Sequence, residues 1–197
     1  MRTKNIKIVK DKLDDKNYKI VAIVGSISKN SYTRKSLNIA VNEIKSHDNF
    51  SVKIIDPRDF DLPAPGSGIM NESRKRLQQI VGEADGALLA KPEYNGSFSS
   101  IIKLVIENLG YPSELSGKPI SLLGIADGDM GAIKAIEALR GVCSHIGGYV
   151  LPNATSVAHI NQKFDVDDNC IYEQTERRIK RVGAELVKYI SRFVDKK

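Results

Sequence analysis

Residues 19 to 25 read Lys19-Ile-Val-Ala-Ile-Val-Gly25, an apolar run rich in β-branched side chains that ends at a glycine. Such a run is typical of a strand that is buried on both faces of a parallel sheet. From Tyr32 to about Ser46, apolar side chains recur at helical spacing, which predicts an amphipathic helix. A buried strand followed by such a helix is the opening unit of a βαβ arrangement.

The same alternation continues to the end of the chain. Further strands are predicted at 51–56, 85–90, 120–126 and 149–151, and further helices at 71–82, 97–109, 130–146 and 171–193. This pattern predicts an α/β protein, a flavodoxin-like three-layer sandwich with a five-stranded parallel sheet, for which we expect the strand order 2-1-3-4-5.

The chain is predicted to hold one domain. Its 197 residues, 41% hydrophobic and 27% charged, have the length and composition of a single globular unit. We predict an N-terminal basic arm over 1–18 and a single domain over 19–197. Within the arm, Asn5-Ile-Lys-Ile-Val9 is either a brief strand or disordered.

Charge and hydropathy exclude some classes of partner. Residues 1–19 carry a net charge of +4 and residues 176–197 of +5, so the middle of a chain with net +6 carries −3. Basic ends around an acidic middle predict no nucleic-acid partner. No apolar run reaches the ~18–20 residues of a membrane helix, and the first residues lack the apolar core of a secretory signal, so we expect a cytoplasmic protein without a membrane partner.

Cysteine and histidine point to no metal site and no catalytic side chain. The two cysteines, Cys143 and Cys170, form no CxxC pair. The three histidines, His47, His145 and His159, lie late in predicted helices or in a polar loop, and we expect none of them to shuttle protons.

The loop after the first strand carries hydroxyl side chains at Ser26, Ser28, Ser31 and Thr33. At a helix N-terminus, hydroxyls and free backbone N–H groups bind phosphate without a full counter-charge. Because neither GxxxxGK[ST] nor GxGxxG occurs, we predict a mononucleotide phosphate site here, with Tyr32 as a member. The alternative is that Ser31 only caps the helix and the other hydroxyls belong to turns.

Two further loops follow the third and fourth strands at the same sheet edge. The first reads Pro92-Glu93-Tyr94-Asn95-Gly96-Ser97, whose backbone can hydrogen-bond the edge of a flat heterocycle while Tyr94 packs on a ring face. Ser97 is expected to cap the next helix, although an ordinary βα loop explains the same residues. The second loop begins with Asp127-Gly128 and ends at Gly131, and Asp129 is alternatively a helix cap.

With these residues the chain resembles the NADPH-dependent FMN reductase family of flavodoxin-like proteins. The resemblance covers about Lys19 to Pro152, and the Pro92 to Ser97 string is its most specific part. It also rests on Gly25-Ser26 through Ser31 and on Gly117-Lys118-Pro119, with Asp56 through Leu62-Pro63 and Leu139-Arg140 in addition.

The resemblance implies FMN bound at the interface of a homodimer or homotetramer, with the phosphate in the first loop and the isoalloxazine ring against the second and third. It implies an oxidoreductase that passes hydride from NADPH or NADH through FMN to a small-molecule acceptor: a flavin, a quinone, an azo dye or a metal ion. Together with the loop analysis, the predicted cofactor-binding residues are Ser26, Ser28, Ser31, Tyr32, Thr33, Pro92, Glu93, Tyr94, Asn95, Gly96, Asp127 and Gly128.

The chain departs from the family pattern at several positions. Ser28 stands where Arg is usual, Lys91 where Thr is usual, Ser99-Ser100 where Pro-Gly is usual, and Glu107-Asn108 in place of Asp-Trp. Two alternatives therefore stay open. One is a non-catalytic or weakly flavin-binding protein, and the other is a flavodoxin-type electron carrier with little NAD(P)H oxidation.

Overall fold

A computed structural model describes residues 17–194 of the chain, and the predicted Asn5–Val9 segment lies outside them. The strands are β1 (Tyr18–Val24), β2 (Phe50–Ile55), β3 (Gly86–Tyr94), β4 (Ser97–Phe98), β5 (Pro119–Ile125), β6 (Tyr149–Val150) and β7 (Thr155–Val157). The helices are α1 (Tyr32–Lys45), α2 (Glu72–Gly82), α3 (Ser100–Glu107), α4 (Ile133–His145) and α5 (Glu173–Phe193), with short 3-10 turns at Pro57–Asp59 and Ile160–Gln162.

The sheet confirms the predicted flavodoxin-like fold. Its main path runs β2-β1-β3-β5-β6, and the four pairings along that path are parallel. β4 is a two-residue strand that pairs only with β3 and lies off this path. The five strands of the path are therefore the five predicted strands, and they follow the predicted order 2-1-3-4-5.

The sheet has seven strands among the described residues, where five were predicted. The first addition is β4, which pairs antiparallel with the end of β3. The second is β7, which continues the pairing of β6 along β5 after a gap at 151–154. No strand was predicted at 155–157, where Thr155, Ser156 and Val157 acquire strand structure by pairing with the neighbouring β5.

Apolar side chains cover both faces of the sheet and separate its helices into two layers. One face packs against α1 and α5, and the other against α2, α3 and α4. Along β3 the buried side chains alternate, so Leu88 and Ala90 belong to the first cluster and Ala87 and Leu89 to the second. The period of two therefore directs Lys91 towards the α2–α4 face.

Helix caps agree with the sequence at α1 and α2 and differ at α3 and α4. Ser31 caps α1, the role named in the alternative for the first loop, and Asn71, the first residue of the predicted 71–82 helix, caps α2. Ser97 lies in β4 instead of capping α3, and the cap is Ser99. Asp129 does not cap α4, which begins at Ile133. Within 17–194, no helix combines the length and the apolar character that crossing a membrane requires.

Candidate functional site

Hydroxyls and helical N–H groups meet where β1 ends. Ser26, Ser31 and Thr33 are buried at this edge. The Ser31 hydroxyl accepts a hydrogen bond from the Arg34 N–H (3.3 Å), and the Ser26 hydroxyl accepts one from the Ser28 N–H (3.3 Å). The first turn of α1 carries no acidic residue and its first N–H groups have no intrahelical acceptor. Capping and anion binding are compatible, because each capping hydroxyl keeps its own proton to donate.

Arg34 is the arginine nearest in sequence to the loop after β1, and its side chain is already paired. The guanidinium of Arg34 forms an ion pair with Asp56 at the end of β2. Asp56 also accepts from Arg58, at 2.6 Å. A negative ligand at the end of β1 would thus meet hydroxyl and N–H donors instead of a free arginine.

The segment predicted as the second loop is largely strand. β3 continues through Pro92 and Glu93 to Tyr94, and the chain then reverses into β4. Asn95 and Gly96 make the turn with φ values of 51° and 75°. Asn-Gly is the preferred pair for a two-residue hairpin turn because both residues tolerate positive φ. The hairpin leaves the ring of Tyr94 about half exposed at the sheet edge.

Glu93 connects this hairpin to α4. Its carboxylate accepts a 3.0 Å hydrogen bond from the N–H of Ala135 in the first turn of the helix. Ala132, the N-cap residue, offers no side-chain acceptor, and its own N–H donates to the Ser156 hydroxyl at 2.8 Å. The start of α4 is therefore held by two other elements, β3 and β7.

The third loop follows β5 and is fixed by the segment after β7. The Ala126 N–H donates to the Val157 carbonyl (2.9 Å), and the Ile160 N–H donates to the Ala126 carbonyl (3.1 Å). His159 lies 3.1 Å from the Asp129 carboxylate. These contacts place the 3-10 turn beginning at Ile160 beside Asp127.

The three loops border one open cleft of about 290 Å³. Nine of the twelve predicted cofactor-binding residues line it: Ser26, Ser28, Ser31, Tyr32, Thr33, Pro92, Glu93, Tyr94 and Asp127. The other three predicted residues do not line the cleft. Asn95 and Gly96 form the turn of the β3–β4 hairpin, and Gly128 is the residue after Asp127. The remaining lining residues were not predicted: Asn30, Ile125, Ala126 and Ile160. Ile160 gave no sequence signal, because it joins the cleft only through the backbone bonds to Ala126.

The charged side chains that line the cleft are both acidic, Glu93 and Asp127. Two lysines adjoin lining residues in the sequence: Lys29, which is exposed between Ser28 and Asn30, and Lys91, which is fully buried in β3. The Nζ of Lys91 has no hydrogen-bond partner among residues 17–194. Burial lowers the pKa of Lys91 to about 7, and the negative charge of Glu93 partly opposes that shift.

Comparisons with known proteins agree with this architecture. The model of the NADPH-dependent FMN reductase family matches residues 18–162. The chain is 29% identical over 190 residues to a 2-hydroxy-1,4-benzoquinone reductase from a Burkholderia species, which covers 90% of this chain and 93% of that protein. It is 24% identical over 178 residues to an FMN-dependent NADPH-azoreductase from Staphylococcus haemolyticus, covering 86% and 93%.

A solved structure supports the fold. FerB from Paracoccus denitrificans, a flavoenzyme NAD(P)H:(acceptor) oxidoreductase, superposes with a TM-score of 0.74 at 22% identity and covers 88% of this chain and 97% of that one. The family match spans most of the described sheet, including all three loops of the cleft. The chain therefore belongs to the NADPH-dependent FMN reductase family, as its motifs predicted, and with it to the oxidoreductases that use FMN and NAD(P)H.

Proposed function

We propose that this protein binds FMN in the cleft at the ends of β1, β3 and β5 and uses NAD(P)H to reduce a small, planar, conjugated acceptor. The observation that carries the proposal is the lining of the cleft. The lining combines hydroxyl side chains and the N-terminus of α1 with the Pro92–Tyr94 segment of β3. These groups fit a cofactor with a phosphate and a flat heterocycle.

Each part of the cleft has a separate task in this proposal. Ser26, Ser31 and Thr33 hold the phosphate through their hydroxyls, helped by the N–H groups that begin α1. Pro92 and Tyr94 support the ring. When bound, FMN supplies the hydride chemistry, accepting a hydride from NAD(P)H and delivering two electrons to the acceptor. The protein contributes orientation and hydrogen bonds, so we assign no acid–base side chain.

We propose a quinone as the first acceptor class and an azo compound as the second. Both are planar and take up two electrons and two protons. Apolar side chains are exposed in or close in sequence to the segments that form the cleft, at Ile27, Tyr94, Met130 and Ile133. Such a rim favours a flat conjugated molecule over a hydrated metal ion. The similarity to a benzoquinone reductase and to an azoreductase supports the same order.

Anaerobic spectroscopy tests the proposal. We expect the absorption bands of FMN to shift when the protein is added and to bleach when one equivalent of NADPH follows. One equivalent of 1,4-benzoquinone should then restore the oxidised spectrum, faster than methyl red or a ferric chelate does. An unshifted FMN spectrum would favour the weakly binding alternative. A shifted spectrum that NADPH fails to bleach would favour the electron carrier.

We further propose a homodimer or homotetramer. A groove of about 1010 Å³ lies between α3 and α4, bordered by Ile106, Val142 and Ile146, and the Tyr111 side chain beside it is fully exposed. This surface supports an interface between copies of the chain. Light scattering coupled to gel filtration measures the mass directly, and a monomer at micromolar concentration would contradict this part of the proposal.

The domain organisation and cellular location are also proposals. We propose that residues 19–197 act as one FMN-binding domain preceded by a basic arm, which the single sheet supports. A cytoplasmic location is supported by the requirement for NAD(P)H and by the free thiols of Cys143 and Cys170. Cell fractionation tests the location, and limited proteolysis tests the boundary of the domain.

A further inference from the structure

Lys91 occupies a place that a lysine rarely takes. It is the β3 residue directly before Pro92, and its side chain is among the largest that are fully buried. Its Nζ finds no hydrogen-bond partner within the described part of the chain. A buried amine without a partner destabilises a fold in either protonation state, because the charged form loses its hydration and the neutral form loses its hydrogen bonds.

The neighbouring strands leave space for the lysine stem and close it off from water. A Cβ on Gly25 of the β1 loop would lie 2.9 Å from the Cβ of Lys91. On β5 the paired residue is Gly124, where a Cβ would meet Ala132 and Ile136 at 2.8 Å. The α4 N-terminus thus packs directly on the sheet beside Lys91.

Among the described residues, Glu93 provides the one negative charge that raises the pKa of Lys91. Its carboxylate already accepts from the α4 backbone. Of the three helices on this face, α3 and α4 have no acidic residue in their first turns. Their first cations are Lys103, which is paired with Glu107, and Lys134, which is exposed. On the other face, the first turn of α1 also lacks an acid.

The cleft, in turn, has no positive side chain in its lining. The lining has two carboxylates, and Arg34 is paired with Asp56. A phosphate-bearing cofactor adds about two negative charges there at neutral pH. A positive charge on the buried Lys91, the residue directly before Pro92, would act on that ligand through a medium of low dielectric constant.

We propose that Lys91 takes up a proton at Nζ when an anionic cofactor occupies the cleft, so that FMN binding and proton uptake are coupled. This inference rests on the proposed function. The proton comes from the solvent and converts the Lys91 amine to an ammonium ion, and no bond of the cofactor forms or breaks. Because the pKa of Lys91 is about 7, most Lys91 side chains of the free protein are neutral near pH 8. They can therefore take up a proton when FMN binds.

The test is calorimetry of FMN binding near pH 8 in two buffers with different enthalpies of ionisation. The difference in heat gives the number of protons taken up per FMN. The ligand contributes little, because a phosphate monoester with a second pKa of about 6 is already a dianion. We expect a clear fraction of a proton for the wild type and none for Lys91→Met, which keeps the length of the side chain but cannot be protonated.

The pH dependence of FMN affinity is the second readout. Between about pH 7 and pH 9 the wild-type Kd should rise about fivefold, as expected when binding raises the pKa of Lys91 by one unit from about 7. The Kd of Lys91→Met should stay flat over the same range. The matched control is Lys134→Met, which removes an exposed lysine at the same sheet edge, with its Cδ 3.7 Å from a Cβ built on Gly96. It should keep the wild-type proton uptake.

The possible outcomes separate this inference from the proposed function. FMN binding without proton uptake in the wild type, or with equal uptake in Lys91→Met, would overturn the role of Lys91 and leave the function standing. No FMN binding by the wild type would overturn the proposed function and this inference together. If Lys91→Met failed to fold, a wild type without proton uptake would still overturn the role of Lys91, and an uptake whose pH profile begins near pH 7 would support it.

Discussion

The Ser99 hydroxyl donates a 2.6 Å hydrogen bond to the carbonyl of Gly25, and both residues are buried. The same oxygen accepts a hydrogen bond from the Ile102 N–H at 3.2 Å, which caps α3. One side chain thus joins the loop after β1 to the helix after the β3–β4 hairpin. The resemblance predicted Pro at this position, and the serine provides a contact that Pro cannot make.

Ser99→Ala should lower the free energy of unfolding by about 1–3 kcal/mol. The change removes a helix cap and leaves a buried carbonyl without its donor. Urea unfolding measures the loss. Ser100→Ala is the matched control, since Ser100 is the exposed next residue and should change stability by less than about 0.5 kcal/mol. Equal losses in the two variants would contradict this reading of the Ser99 contact.

Glu93→Ala should loosen the start of α4. The Ala135 N–H loses its acceptor, at a cost of about 1 kcal/mol, while Glu93→Gln keeps an acceptor oxygen and should lose less. Hydrogen exchange of the Ala135 amide reports the change locally. We expect faster exchange in Glu93→Ala than in Glu93→Gln, and unchanged protection in both would mean that the helix start does not depend on β3.

Ser28→Arg should tighten FMN binding. Ser28 is exposed in the loop after β1, where we propose that the phosphate binds, and an arginine there would add an ion pair worth about 0.2–1 kcal/mol that weakens with salt. Quenching of FMN fluorescence at low and high salt measures the gain. Ser28→Gln has a polar side chain without the charge and should leave affinity near the wild-type level. If Gln and Arg performed alike, the phosphate would not lie near this residue.

Burial lowers the pKa of both Lys118 and Lys91, but replacing each by methionine should change the stability of the protein in opposite directions. Lys118 donates to the carbonyls of Gly82 (3.0 Å) and Ala84 (2.6 Å), so Lys118→Met should destabilise the protein by about 1–2 kcal/mol. Lys91 has no such partner within residues 17–194, so Lys91→Met should stabilise the apoprotein by about 1–3 kcal/mol. Urea unfolding of both variants decides, and a destabilised Lys91→Met would indicate a contact that compensates its burial.

The stability gained by Lys91→Met should depend on pH. Burial lowers the pKa of Lys91 from 10.5 to about 7, so the unfolded chain binds more protons at this residue between those values. The penalty for burying the lysine is therefore complete below about pH 7 and shrinks as the pH rises towards 10.5, by up to about 1.4 kcal/mol per pH unit. Unfolding of wild type and variant at several pH values measures the difference, which should be largest at the lowest pH.

Much of the fold could be predicted from the sequence, because local periodicity encodes it. The apolar run at 19–25 and the helical spacing after Tyr32 each depend on neighbouring residues, and the structure has β1 and α1 there. The hydroxyls of the first loop and the Pro92–Tyr94 string also follow predicted strand ends. Nine of the predicted residues line one cleft because parallel strands end at one edge of a sheet.

Contacts between distant segments were decided by the tertiary structure alone. β7 exists because β5 extends beyond β6, and Ile160 reaches the cleft through that pairing. Glu93 caps α4 and Ser99 meets Gly25 only after the sheet has formed. The state of Lys91 belongs to the same class, since its lowered pKa results from the burial that the packed helices impose. A sequence pattern carries the period of an element and the chemistry of its side chains, whereas the identity of their partners depends on which elements the folded chain brings together.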